Sequence, residues 1–173
     1  MNDALALVIS ILKTTPRRWI QIAEAIPYVL FRRSPTPGEW SAYECLQHIV
    51  DTERMVFPKR VGYLLRGEDF PAFNPGDDGT KPGIDRSPAE LAKEFERLRA
   101  DSIDLLLKVR TSDLEKKARH QELGMVSLRE MINEWAGHDL MHTVQAERAL
   151  LQPFIEECGP WKVYFSDHIV GKR

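Results

Sequence analysis

Cysteine is scarce in this sequence: Cys45 and Cys158 are the only two among 173 residues. Two thiols cannot staple a scaffold of this size, and their separation excludes a zinc knuckle. A reducing, cytoplasmic setting is therefore expected. An excess of one charge is also missing. With 24 Lys+Arg against 26 Asp+Glu the net charge is −2, so no global field draws the chain to nucleic acid or to an acidic membrane. Long apolar runs are absent too. The most apolar stretch, Ala4 to Leu12, is about half the length of a membrane-spanning helix, and Ser10 interrupts it. Asp3 rather than a basic residue precedes it, and no small-residue cleavage pattern follows, so a secretory signal is not expected. There is no internal repeat and no low-complexity tract.

What is present describes an ordinary folded chain, 43% apolar and 29% charged, of a length that suits one domain over 1–173. Its strongest local signal occurs three times. Ser41 with Glu44, Ser87 with Glu90, and Ser127 with Glu130 each match the capping box, where serine and glutamate bond reciprocally to the first backbone amides of a helix. Pro88 adds a first-turn proline to the second box. Each box opens a segment of helical periodicity, which predicts helices over about 41–66, 88–109 and 127–151. The first segment, about 2–33, reads as one helix or two, with Pro16 and Pro27 as breaks or kinks. Few β-branched runs and no alternating strands point to an all-α chain, an antiparallel four-helix bundle. The 67–86 connection is long for a bundle loop and holds Phe70 and Phe73, consistent with a functional loop or a solvated crossover. The aromatics of the C-terminal tail suggest that it packs back over the bundle.

Polar residues on apolar faces carry the functional signal. On a helical wheel of the last segment, His138, Asp139 and His142 fall in the arc of Leu128, Met131, Ile132, Trp135 and Ala146. Burying them unpaired would cost on the order of 1–3 kcal/mol each, so each needs a partner. His138 and His142 have the i, i+4 spacing that stacks two imidazoles for a divalent metal. Two hydrogen-bonded core histidines would show the same spacing, and Asp139 stands where a zincin protease needs glutamate. In the second segment His48 flanks the apolar arc and Glu53 projects almost into its centre. His48 also reads as solvent-facing, or paired with Glu44 or Asp51. Glu53 also reads as a buried partner for Arg17, Arg18 or Arg148. Cys45 lies on the apolar arc and Cys158 in the tail, so neither is a good nucleophile. His120 and His168 fall in a loop and the tail. Trp40, Tyr43 and Trp135 read as core or pocket wall.

Taken together, Trp40, Ser41, Glu44, Leu46, His48, Asp51 and Glu53 resemble the W-S-x-x-E-x-L-x-H-x-x-D-x-E signature of the DinB-like family. Gly137, His138, His142 and Gln145 resemble its second signature, a histidine pair on the last helix. The resemblance implies an up-down-down-up four-helix bundle with His48, His138 and His142 as ligands of a divalent metal, nickel or zinc. It also implies a small-molecule substrate and a homodimer. Characterised relatives include thiol-dependent S-transferases that use a low-molecular-weight thiol, and metal-dependent hydrolases. Three neutral imidazoles leave a metal its full charge and an open position, the pattern of a catalytic site. Thiol-dependent transfer is the preferred reading, with hydrolysis next and a noncatalytic, metal-stabilised binding bundle third. Glu53 is a candidate general base or partner to a ligating histidine, and Asp139 a candidate partner of the same kind.

Overall fold

The computed structural model describes residues 3–79 and 86–171. Helix α1 (Asp3–Ala25) is followed by the short α2 (Tyr28–Phe31), then α3 (Ala42–Met55), α4 (Phe57–Arg66) and a single turn, α5 (Pro75–Asp78). After α6 (Pro88–Leu106) comes a 3-10 turn (Thr111–Glu115). The antiparallel strands β1 (Lys117–His120) and β2 (Gly124–Ser127) follow, and then the long α7 (Leu128–Glu157) and a 3-10 tail (Gly159–His168). All three capping boxes form, with serine oxygen and glutamate carboxylate bonded reciprocally at the starts of α3, α6 and α7.

The bundle consists of α1, α3, α6 and α7. Helix α1 packs against α6 and α7, and α3 packs against the same two. Helices α1 and α3, close in sequence, therefore face each other across the diagonal, as do α6 and α7. In a simple up-down-up-down ring they would be neighbours.

Helix α6 ends at Leu106, three residues short of its predicted bound, and the other helices differ from theirs around prolines. Pro27 separates α1 from α2 as expected, but α1 runs through Pro16 unbroken. Pro16 lacks the N–H that would bond the Leu12 carbonyl. That carbonyl instead accepts from Arg99 at 3.0 Å. The predicted 41–66 helix is broken at Val56 (φ −113°, ψ −73°), because Pro58 cannot donate to the preceding turn. Helix α7 continues through Pro153 to Glu157, where burial of Ile155 extends its apolar face.

The strand pair corrects the expectation of no strands. Its tip is a three-residue turn ending at Gly124, whose φ of +76° favours glycine. Only Ala118 and His120 of β1 point inward, a two-residue alternation too short and too polar to read as a strand. The pair pins the crossover loop. Phe70 N–H donates to the Arg119 carbonyl at 3.0 Å, and Gln121 N–H donates to the Phe70 carbonyl at 3.1 Å. Of the 67–86 connection, positions 80–85 lie outside the described residues. The tail does fold back, but through polar bonds. The Gln152 side chain donates to the His168 carbonyl and accepts from Val170 N–H, while Trp161, Val163 and Tyr164 face outward.

Two apolar clusters fill the bundle, and a polar layer divides them. One holds Leu12, Phe57, Ile103 and Trp135; the other holds Trp19, Ile49, Phe95 and Ala146. Between them, each bundle helix contributes one polar residue: Thr15, Glu53, Arg99 and Asp139. Arg99, 2% exposed, donates through Nε to Glu53 at 2.8 Å and through its two terminal nitrogens to Glu53 and Asp139, each at 2.7 Å. Thr15 donates to Asp139 at 2.6 Å, and the Trp135 indole donates to Glu53 at 3.1 Å. Removing the guanidinium strands two buried carboxylates. Arg99→Met is therefore expected to lower unfolding stability by ~3–5 kcal/mol in urea denaturation; a loss below ~1 kcal/mol would contradict this account of the layer.

Candidate metal centre

The break at Val56 and the start of α3 place one face of α3 and α4 against α7, and the three histidines meet there. One ligand nitrogen from each of His48, His138 and His142 lies within 4.8 Å of the other two. His48 Nε2 and His138 Nε2 are 3.0 Å apart. Two nitrogens on one tetrahedral ion stand roughly 3.3 Å apart when metal–nitrogen bonds are about 2.0–2.1 Å, so the observed spacing is near that of a shared ligand set. The i, i+4 spacing on α7 brings the His138 and His142 rings together edge-on, with centroids 4.5 Å apart.

The surroundings keep all three rings neutral. Burial, followed by the neighbouring His142 ring, lowers the His48 pKa to about 4. Burial again leads at His138, with the His142 and His48 rings and the charges of Arg60 and Arg99 adding to it, and its pKa falls to about 2. Burial also lowers His142, opposed by its bond to Gln145 and by the Asp139 charge. Neutral imidazoles offer lone pairs, which is what a divalent ion requires. Gln145 accepts from His142 Nδ1 at 2.8 Å, which turns the Nε2 lone pair of His142 toward the cluster. His138 Nδ1 is buried with no hydrogen-bond partner among the described residues. The donor set fits a divalent transition ion such as zinc or nickel and does not select between them.

The walls are aromatic. Trp40 stacks on His142 with centroids 5.6 Å apart, Phe57 meets His138 edge-on at 5.1 Å, and Phe73 of the crossover loop lies 6.3 Å from His48. Glu53 and Asp139 lie in the layer beneath, with all four carboxylate oxygens bonded to Arg99. None of the hydrogen bonds formed by either carboxylate reaches one of the three histidines. Cys45 is fully buried, and burial, with help from Glu44, pushes its thiol up to about 12.

A sequence model of the DinB superfamily matches residues 11–146, most of the chain. The chain belongs to the DinB superfamily. Among solved structures, YfiT from Bacillus subtilis is described as a probable metal-dependent hydrolase with an unusual four-helix bundle topology. It matches with a TM-score of 0.74 at 16% identity, over 89% of each chain. At that identity the likeness establishes the fold alone. No curated protein matches the sequence.

The DinB signature can now be read in physical terms. Trp40 covers the histidines, Ser41 and Glu44 cap α3, Leu46 enters the core, His48 joins the cluster, and Glu53 binds Arg99. The glutamate's partner is thus Arg99 of α6, not Arg17, Arg18 or Arg148. Arg99 gave no warning beyond its position on the apolar face of α6, between Phe95 and Ile103. Gln145, three residues after His142, was visible in the second signature but carried no assigned role. Elemental analysis is expected to find close to one zinc or nickel per chain in the parent and to find it lost in His142→Ala. Gln145→Leu should keep the fold while weakening zinc affinity about tenfold or more in chelator competition. Equal metal content in parent and His142→Ala would remove His142 from any metal site.

Proposed function

We propose that this DinB-superfamily protein is a divalent-metal-dependent enzyme acting on a small electrophilic molecule, with His48, His138 and His142 holding the ion. The observation that carries this reading is the convergence of three neutral imidazoles at one point under an aromatic wall. An ion held by three neutral ligands keeps its full positive charge and open positions, and so supplies Lewis acidity and a lowered pKa to a bound nucleophile.

The chain's own residues do the rest. Gln145 fixes the His142 tautomer, Trp40 and Phe57 shield the rings from bulk water, and Phe73 brings the crossover loop to the edge of the site. Arg99 holds Glu53 and Asp139 in place through all of their oxygens, so both serve here as positioning groups for α3 and α7, not as proton acceptors. Hydrolysis is favoured by the likeness to YfiT over 89% of both chains. A specific observation favours the second reading, transfer to a low-molecular-weight thiol. With both layer carboxylates engaged, a nucleophile that ionises beside a cation without a base has an advantage, and a thiol with a pKa of about 8.5 is such a nucleophile.

One pair of assays tests both readings. Zinc- or nickel-loaded protein is expected to turn over activated esters in water, or alkyl halides only when a small thiol is added. Chelation should abolish either activity. Turnover that survives chelation and His142→Ala would refute metal dependence. No turnover in any arm, together with metal that raises the melting temperature, would leave a noncatalytic metal-stabilised bundle.

A further inference from the structure

The strand pair that pins the crossover loop also creates a conflict between two hydrogen-bond donors. His120 closes its own turn: Nδ1 lies 3.1 Å from Glu122 N–H and 3.2 Å from Leu123 N–H, and both can only donate. Nδ1 must therefore carry the lone pair, and the neutral ring's proton sits on Nε2. Yet Nε2 faces the Arg60 guanidinium, which also can only donate, at 3.3 Å. Moving the proton to Nδ1 would satisfy Arg60 and break both backbone bonds. His120 is 5% exposed and Arg60 half-buried, so the His120 side of this mismatch is withdrawn from solvent. Among the described residues no carboxylate lies within ion-pair distance of Arg60, although the charge of Glu134 is felt there. A buried donor and a half-buried one converging without an acceptor are what an oxyanion site looks like.

The place is also suited to a ligand. Arg60 lines a groove of about 380 Å³ between α4 and the crossover loop, walled by Val56, Tyr63, Phe70, Pro71 and Phe73; His120 is outside this lining but lies against Arg60 and Phe70, which belong to it. Phe70 presents its face to Arg60, 5.7 Å from the guanidinium carbon, and its edge to His120. Phe73 belongs both to this groove and to the wall of His48. The volume and the apolar walls fit a small ligand with a flat body and one charged end. Exposed Lys59 on the rim adds positive charge.

We propose that this groove is the substrate subsite and that it selects small carboxylates: the carboxylate is shared by Arg60 and His120 Nε2–H, and the apolar body lies along Phe70 and Tyr63. The electrophilic end then points past Phe73 toward the histidine cluster, an orientation that rests on the metal-dependent reading above. The anion subsite itself rests on the donor conflict and the groove.

The probes are benzoate and its neutral isostere benzamide, titrated calorimetrically into protein of measured metal content. Benzoate is expected to bind at least about tenfold more tightly than benzamide, the margin of a charge-assisted pair. Arg60→Gln should erase that preference. His120→Asn, which keeps an acceptor for the turn amides but lacks the Nε2 donor, should reduce it several-fold. Both variants should retain the parent's metal content. A long-range 15N–1H spectrum should show the His120 proton on Nε2. The proposal is overturned by an absent benzoate preference in the parent, by a preference unchanged in Arg60→Gln, where the carboxylate goes to the metal or elsewhere, or by a His120 proton on Nδ1. Benzoate selectivity in a protein without metal-dependent turnover would sink the enzymatic reading and leave this subsite standing.

Discussion

The Arg99 guanidinium has to be satisfied in the middle of the bundle, and the four helices are arranged so that each helps to do so. Helix α1 supplies the Leu12 carbonyl and Thr15, α3 supplies Glu53, and α7 supplies Asp139. A buried charge of this kind is weak evidence for added stability, because apolar residues of similar volume often do as well. Its effect here is to fix register. The Glu53 side chain sits five positions after His48, and Asp139 lies between His138 and His142 in sequence, so the contacts that satisfy Arg99 also set the heights of the three histidines. Pro16 takes part in the same constraint. By removing one helical hydrogen bond it frees the carbonyl that Arg99 requires, without breaking α1.

With register fixed, the chemistry follows from burial. The three imidazoles are held neutral by desolvation, reinforced at His48 and His138 by the neighbouring rings, and Gln145 sets the tautomer of His142. The break at Val56 turns α4 so that Phe57 covers His138 while Arg60, further along, reaches the groove. The strand pair holds Phe70, and with it the crossover loop that brings Phe73 to His48. The helices thus supply the histidines, and the irregular segments supply the surroundings that can distinguish substrates.

Much of this was legible in the residues. Capping boxes are local, so they marked three helix starts to within a residue. The histidines could be read because they are polar residues on apolar faces, and such faces are periodic. Arg99 occupies the same kind of position on α6 and was readable by the same wheel, but an arginine there suggests a long side chain reaching solvent. Only the geometry of four helices shows that it does not. Pro16, Pro58 and Pro153 looked alike in sequence. Whether each broke its helix depended on whether a partner existed for the freed carbonyl or an apolar face continued beyond it, both tertiary facts. The strands were hidden because β1 buries only an alanine and a histidine. His120 was therefore set aside as a loop residue, although its ring lies against Arg60.

The 3.0 Å approach of His48 to His138 fits a shared metal site, and a hydrogen bond between two core histidines would give a similar distance. Anomalous diffraction at the zinc edge from crystals grown with zinc separates the two. A metal site requires a peak about 2.0–2.1 Å from one nitrogen of each of His48, His138 and His142. A map with no peak there, and with the two Nε2 atoms still in direct contact, would contradict it.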